Sequence, residues 1–160
     1  MLVGVLTVSD RCSQGLMVDT SGPAIEALVR DAWPEATIAA AVVNDDEDRV
    51  VAWLHEWTTE GAALVLTVGG TGLGPRDRTP EATLRVLERE APGLAEAMRA
   101  RGAQKNEMAW LSRGVAGIKG RTLIVNLPGS LRGASESLEA ILPLLDHALV
   151  TVSGGDGHGT

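Results

Sequence analysis

The segment Gly69–Gly74 holds four glycines and a threonine within six residues, and this pattern predicts an anion-binding loop. Glycines let backbone N–H groups approach an anion closely, and Thr71 adds a hydroxyl donor. Arg76 follows with a guanidinium that can neutralise a phosphate. A P-loop is excluded because no Gly-Lys-Ser/Thr stands at the required spacing, and the third glycine is misplaced for a dinucleotide fingerprint. A flexible turn without a ligand is the simpler alternative. Four glycines and a threonine within six residues at the end of a strand disfavour it. The predicted anion ligands are Gly69, Gly70, Thr71 and Gly72.

Two acidic residues in separate loops could share a cation beside this loop. Asp77 lies between Arg76 and Arg78, so it either pairs with one of them or faces the pocket. Asp45 stands in a run of acids that could equally cap a helix and fill its first turn. A carboxylate next to a phosphate repels it unless a cation intervenes, which suggests Mg²⁺ held by the two carboxylates and phosphate oxygens. The residues alone leave open whether Asp45 or Asp46 is the functional acid.

Three further polar clusters could complete a pocket, although each is also common in ordinary turns. They lie after the first apolar segment, near residue 112, and in a second glycine turn. Their members are Ser9, Asp10, Ser112, Arg113, Asn126, Pro128, Gly129 and Ser130.

Covalent catalysis and zinc chemistry have little support. The chain lacks a Gly-x-Ser-x-Gly elbow, and its histidines, His55, His147 and His158, are isolated in sequence. Cys12 is the single cysteine and lacks an obvious base, so we interpret it as a small apolar filler.

Strand-like and helix-like segments alternate, which predicts an α/β fold with a mostly parallel sheet covered by helices. Ligands of such sheets bind beyond the carboxyl ends of the strands, where the loops described above would meet. Predicted strands are Leu2–Val8, Thr37–Val43, Ala63–Val68, Val115–Ile118 and Thr122–Asn126. Predicted helices start at Ser21, after a cap at Asp45 or Asp46, at Thr79 as the capping residue, after the break at Pro92, and at Ala134. The third runs to Pro92 and the last to Leu145.

The overall composition indicates one globular domain in residues 1–152, with a flexible tail over 153–160. The net charge of −7 disfavours nucleic acids and anionic membranes as partners. No apolar run reaches the ~18 residues of a membrane span, and the N-terminal segment lacks the marks of a secretory signal. A cytoplasmic location is therefore expected.

The order and spacing of these segments resemble the MoaB/Mog molybdenum-cofactor biosynthesis family over about residues 2–150. The glycine segment with the following Pro-Arg-Asp and Thr-Pro-Glu-Ala is the most specific part. Asn44, Arg78 and Leu131 depart from the family pattern. The matching segments are Val8–Ser13, Asp19–Pro23, Thr67–Gly72, Pro75–Ala82, Ser112–Gly117, Asn126–Ser130 and Glu139–Pro143.

The resemblance implies a three-layer α/β/α domain that assembles as a trimer or a dimer of trimers. It also implies molybdopterin adenylyltransferase activity, in which molybdopterin and Mg-ATP give adenylylated molybdopterin and pyrophosphate, and a later protein uses the product for molybdate insertion. Asp45 and Asp77 match the family's essential aspartates and would form the catalytic Mg²⁺ pair. The other residues named above, including Arg76, would bind substrate or nucleotide.

Two alternatives stay open. A non-catalytic molybdopterin-binding or scaffold protein could use the same fold, since a fold does not fix a function. An unrelated nucleotide-dependent oxidoreductase would need a dinucleotide fingerprint and an acid such as Glu88 or Glu90, which we place in a predicted helix.

Overall fold

The computed structural model describes residues 1–155; the last five residues of the predicted tail, 156–160, and with them His158, lie outside this part. A six-stranded sheet has the order β2-β1-β3-β6-β5-β4. The first four strands in this order are parallel, and β5 and β4 are antiparallel to their neighbours. The strands are β1 Leu2–Val8, β2 Thr37–Val43, β3 Leu64–Val68, β4 Arg89–Glu90, β5 Ala116–Lys119 and β6 Thr122–Leu127.

Helices cover both faces of the sheet, which confirms the three-layer α/β/α prediction. Alternate residues of β1 enter two separate cores: Val3 and Val5 pack with α2, α5 and α6, whereas Leu6 and Val8 pack with α3 and α4. A strand buried on both faces needs such a continuous apolar sequence. The helices are α1 Asp10–Ser13, α2 Ser21–Ala32, α3 Glu47–Thr59, α4 Thr79–Val86, α5 Pro92–Ala103 and α6 Leu131–Val152, with a 3₁₀ turn at Glu107–Leu111.

The segment between Thr79 and Pro92 differs from the prediction of one continuous helix. Helix α4 ends at Val86, and the backbone N–H groups of Glu88 and Ala91 bond to carbonyls of β5 instead. Pairing with a sheet edge therefore replaces the last helical turn, and Glu88 and Glu90 do not lie in a helix. A two-residue strand is too short to show an alternating pattern in sequence.

Three helix boundaries also differ. Arg78, rather than Thr79, is the N-cap of α4 and makes no side-chain capping bond. Helix α6 begins at Leu131 and continues past Pro143 to Val152, beyond the predicted Ala134–Leu145. The loop after β1 contains the single helical turn α1, which Ser9 caps by accepting from the Cys12 N–H at 3.2 Å.

None of residues 1–155 belongs to a helix with the length and apolar character needed to cross a membrane.

Candidate functional site

The glycine loop Gly69–Arg78 leaves β3 through two residues with positive φ. Gly69 has φ 106° and Gly70 has φ 68°, a region that disfavours residues with a Cβ. A Cβ on Gly69 would strike the carbonyl oxygen of Val8, and one on Gly70 would strike the Thr79 hydroxyl. Glycine is thus required at both positions, because the backbone turns against its neighbours with no room for a side chain.

A second turn, residues 126–130, closes against this loop. The Gly69 N–H donates to the Leu127 carbonyl at 3.0 Å. Gly129 packs so closely on Gly69 that a Cβ on Gly129 would lie 3.2 Å from the Cα of Gly69. Ser130 then caps α6 by accepting from the Gly133 N–H at 3.1 Å. The start of a 22-residue helix therefore stands beside the glycine loop, where its dipole favours an anion.

A cavity of about 520 Å³ lies between these turns, α5 and the 3₁₀ turn. Its wall includes nine of the predicted site residues and several that sequence reasoning missed. Four of the missed residues, Met98, Arg99, Met108 and Arg132, stand on helices or the 3₁₀ turn, whose facing direction no local motif reveals. The nine predicted residues are Gly70, Thr71, Gly72, Asp77, Ser112, Asn126, Pro128, Gly129 and Ser130.

Asp77 belongs to the glycine loop itself. Its Oδ2 accepts a hydrogen bond from the Gly74 N–H at 2.9 Å, and it lies close against Gly72 as well. The alternative in which Asp77 pairs with a flanking arginine is wrong. Arg76 donates instead to both carboxylate oxygens of Asp10, at 2.8 and 3.0 Å, and Arg78 donates to Glu47 at 3.0 and 3.1 Å.

The structure separates the two adjacent acids after β2. Asp46 caps α3 by accepting from the Arg49 N–H at 3.1 Å. Asp45 instead turns toward the site, where its Oδ1 lies 3.2 Å from the position of a Cβ on Gly70. Of the two candidates, Asp45 is the acid that faces the glycine loop.

The electrostatic environment of Asp45 is that of a crowded acidic site. Burial, together with the negative charges of Asp10 and Asp77, raises the pKa of Asp45, although the hydrogen bond from the Asp10 N–H works in the opposite direction. Hydrogen bonds from Arg76 and from the Asp45 N–H lower the pKa of Asp10. Asp45 therefore sits in a field that a bound cation would relieve.

Asp45 and Asp77 are the two carboxylates beside the glycine loop that could hold a magnesium ion together with a ligand. Within residues 1–155, no three His, Cys, Asp or Glu side chains form a metal cluster. Mg²⁺ does not need one, because it is commonly held by one or two carboxylates and by substrate phosphates. Each of the two acids uses Oδ2 for a backbone N–H, and none of the hydrogen bonds in the described part of the chain engages either Oδ1.

The remaining predicted site residues do not line the cavity. Asp45, Asp10 and Arg76 form a polar cluster beside the loop, and Ser9 caps α1. Arg113 donates to carbonyl oxygens of the loop and to Glu81.

Asn126 lines the cavity but uses its side chain to hold the fold together. Its Nδ2 donates to the hydroxyls of Thr67 and Thr83, both at 2.9 Å, and its Oδ1 accepts from the Val115 N–H at 3.1 Å. Only 1% of its surface is exposed. The side chain thus joins β3, α4, β6 and the start of β5.

The fold and site define an open α/β domain with a cavity beside a glycine turn at the carboxyl edge of its parallel strands. The model of the probable molybdopterin binding domain matches residues 4–147. The chain therefore belongs to the MoaB/Mog molybdenum-cofactor biosynthesis family, as its motifs predicted.

Solved structures share both the fold and the sequence. The molybdopterin biosynthesis enzyme MoaB from Thermus thermophilus is 54% identical with a TM-score of 0.87, covering 96% of both chains. A structure of MogA is 39% identical with a TM-score of 0.90, covering 95% of this chain and 99% of that one.

Curated relatives include shorter and longer proteins. A Helicobacter pylori protein named molybdopterin adenylyltransferase is 37% identical over 154 residues, covering 95% of this chain and 88% of that protein. The Drosophila melanogaster molybdenum cofactor synthesis protein cinnamon is 42% identical over 147 residues, which is 91% of this chain and 24% of that protein. The chain spans from 22% to 48% of the length of several curated relatives that it matches.

Proposed function

We propose that this chain is a molybdopterin adenylyltransferase, which transfers AMP from Mg-ATP to molybdopterin. A terminal phosphate oxygen of molybdopterin attacks the α-phosphorus of ATP and forms a new phosphoanhydride bond. The bond between the α- and β-phosphates breaks, and pyrophosphate leaves with its electrons. Relatives that carry the name molybdopterin adenylyltransferase at 37% and 38% identity support the assignment.

One observation carries the proposal: Asp77 and the glycine turn line the same cavity, and the Oδ1 of Asp45 lies 3.2 Å from the position of a Cβ on Gly70 in that turn. An anion-binding backbone and two carboxylates are thereby brought to one place. A carboxylate pair serves no purpose in simple phosphate binding, because it repels the ligand. It is useful where a cation must bridge the protein and a polyphosphate.

Backbone donors and helix α6 would hold the phosphate groups. Gly70, Thr71 and Gly72 line the cavity, where their main-chain N–H groups and the Thr71 hydroxyl would bind phosphate oxygens, and Ser112 and Ser130 line the same cavity. The start of α6 adds the positive end of its dipole. Apolar and arginine side chains from α5 offer a surface for the flat part of a pterin, including Met98 and Arg99.

The chemistry needs positioning and charge compensation rather than a protein nucleophile. A Mg²⁺ ion held by Asp45 and Asp77 would offset the repulsion between two phosphorylated substrates and stabilise the leaving pyrophosphate. The protein contributes fixed N–H donors that require no rearrangement during reaction. A reaction that needs no protein nucleophile agrees with the composition of the cavity wall, which contains neither a histidine nor a cysteine within residues 1–155.

Incubation of the purified protein with molybdopterin, ATP and Mg²⁺, followed by mass spectrometry of the pterin, tests the proposal. The expected product is molybdopterin heavier by one adenylyl group, with one pyrophosphate released for each. The same reaction without Mg²⁺ is the control and should give no product. Pterin binding without adenylylation would contradict the proposal and favour the non-catalytic binding or scaffold protein.

We further propose that the protein acts in the cytoplasm as a trimer or a dimer of trimers, with residues 1–152 as its single domain. A molybdate-insertion protein would consume the product. Exposed apolar side chains support self-association: Leu16 is 71% exposed and Val18 is 80% exposed in the loop after α1. Light scattering of the full chain coupled to size-exclusion chromatography tests the assembly, and a monomer at micromolar concentration would contradict it.

A further inference from the structure

Arg113 makes a set of contacts that all return to the glycine loop. Its Nε donates to the Gly72 carbonyl at 2.8 Å, its Nη2 donates to the Asp77 carbonyl at 2.6 Å, and its Nη1 donates to the Glu81 carboxylate. Its backbone N–H also donates to the Thr71 carbonyl at 2.8 Å. One residue thus joins four points along an eleven-residue stretch of chain.

The loop depends on such external bonds. Its own backbone bonds are few: the Asp77 N–H donates to Gly74 at 3.0 Å and the Thr79 N–H donates to Gly70 at 3.1 Å. Glycine-rich chain loses more conformational entropy on ordering than any other sequence. The carbonyl groups of Gly72 and Asp77 would otherwise bond to water. The rigid, planar guanidinium of Arg113 holds them instead, because its N–H groups reach several acceptors at once.

Arg113 does not touch the space where a ligand would sit. Its neighbours Ser112 and Gly114 line the cavity, whereas Arg113 does not. The charge of Arg113 is already matched by Glu81. Burial raises the pKa of Glu81, but the hydrogen bond from Arg113, a backbone hydrogen bond and the charges of Arg113 and Arg78 together lower it. A guanidinium placed in this way does not serve as a phosphate ligand.

We propose that Arg113 is a positioning residue, which fixes the main chain of Gly72 and Asp77 so that the Asp77 carboxylate stays at the cavity wall. The role in turnover rests on the adenylyltransferase function proposed above. The effect on the loop does not, because it follows from contacts within the chain. The arginine thus acts through Asp77 and the loop, without meeting either substrate.

Removing Arg113 alone would leave the Glu81 carboxylate with only the long contact to Arg78 at 3.9 Å, so the decisive protein is the double variant Arg113→Ala with Glu81→Gln. Glu81→Gln alone keeps the two carbonyl contacts and serves as the reference. Arg85→Ala is the matched control on α4, because Arg85 pairs with Glu47 and Asp48 away from the cavity. All three are compared with the wild type by hydrogen exchange, thermal unfolding and steady-state kinetics.

The double variant should exchange the amides of residues 69–78 roughly tenfold faster than wild type, with β1 and β3 unchanged. Its kcat should fall by about 10²-fold while the KM for molybdopterin stays within about threefold, since misplacing a reacting group by 1 Å costs about that much. Glu81→Gln and Arg85→Ala should stay near wild type in both measurements.

Wild-type exchange of the loop in the double variant would overturn the inference, as would an equal loss of kcat in Glu81→Gln alone. If the wild type itself forms no adenylylated pterin, the proposed function has failed, and loop exchange alone decides whether Arg113 holds Gly72 and Asp77. The two failures are therefore distinguishable.

Discussion

Asp10 and Asp45 each accept a hydrogen bond from the other's backbone N–H group. The Asp10 N–H donates to Asp45 Oδ2 at 2.9 Å, and the Asp45 N–H donates to Asp10 Oδ1 at 3.0 Å. This exchange joins the loops that follow β1 and β2, 35 residues apart. Arg76 adds the glycine loop to the pair through its two bonds to Asp10. Three loops from three parallel strands therefore form one connected site.

Burial of the Asp45 carboxylate, together with the nearby charges of Asp10 and Asp77, predicts a pH-dependent gain of stability in Asp45→Asn. The folded-state pKa of Asp45 lies above its ordinary value of 3.8, so the folded protein binds more protons than the unfolded chain just above that pH. Stability is therefore lost as pH rises through this window, and the cost persists at pH 7. We expect Asp45→Asn to raise Tm at pH 7 but not below pH 3.8. Equal melting temperatures at pH 7 would contradict the electrostatic assignment.

Asp77→Asn is expected to stop catalysis without preventing ligand binding. The amide keeps the size of the side chain but loses the charge that would hold Mg²⁺, so turnover should fall by at least about 10²-fold. Molybdopterin affinity, measured by calorimetry, should change little because the backbone donors remain. Asp46→Asn is the control, since Asn is an equally good helix cap. Normal turnover by Asp77→Asn would remove Asp77 from the mechanism.

Arg76→Ala should weaken nucleotide binding more than it weakens the fold. Loss of a charged hydrogen bond to phosphate corresponds to a roughly tenfold higher KM for ATP. The ion pair with Asp10 is exposed and screened by solvent, so its removal should change the free energy of unfolding little. Arg78→Ala, which removes a similar pair with Glu47, should leave KM unchanged. An unaltered KM in Arg76→Ala would limit Arg76 to positioning Asp10.

Gly70→Ala tests the tight packing of the glycine loop. The new Cβ would meet the Thr79 hydroxyl in a backbone conformation with φ 68°, so we expect a loss of about 3 kcal/mol and of molybdopterin binding. Gly61→Ala is a matched control, because Gly61 has φ 83° but no atom within 4 Å of a Cβ. Its cost should be about 1 kcal/mol, from conformation alone. Urea unfolding measures both, and equal losses would argue against the steric explanation.

Asn126→Ala should behave as a folding variant. Three hydrogen bonds are lost and the Val115 N–H is left without its acceptor, which predicts a loss of about 3 kcal/mol in urea unfolding. Asn106→Ala removes an exposed bond to the Met108 N–H and should cost about 1 kcal/mol or less. If Asn126→Ala kept full stability but lost pterin affinity, a ligand role for Asn126 would replace the structural one.

The amino-acid sequence by itself determined the layers of the fold and the location of the site. Continuous apolar runs such as Leu2–Val8 and Leu64–Val68 suit strands that are buried on both faces. Because amphipathic helices alternate with these strands, a parallel sheet covered by helices buries the strands and the apolar helix faces together. The glycine loop was visible because positive φ restricts residue type, as at Gly69 and Gly70. These constraints act on neighbouring residues, so a short stretch of sequence is enough to reveal them.

Only the tertiary structure decided which polar groups meet. Asp45 and Asp46 have the same chemistry, and their separation into a site residue and a helix cap depends on how β2 ends beside Asp10. Arg113 could not be told from a phosphate ligand in sequence, because the partners of its side chain lie 32 to 41 residues away. Contacts between distant segments depend on the whole packing of the chain, which no short stretch of sequence encodes.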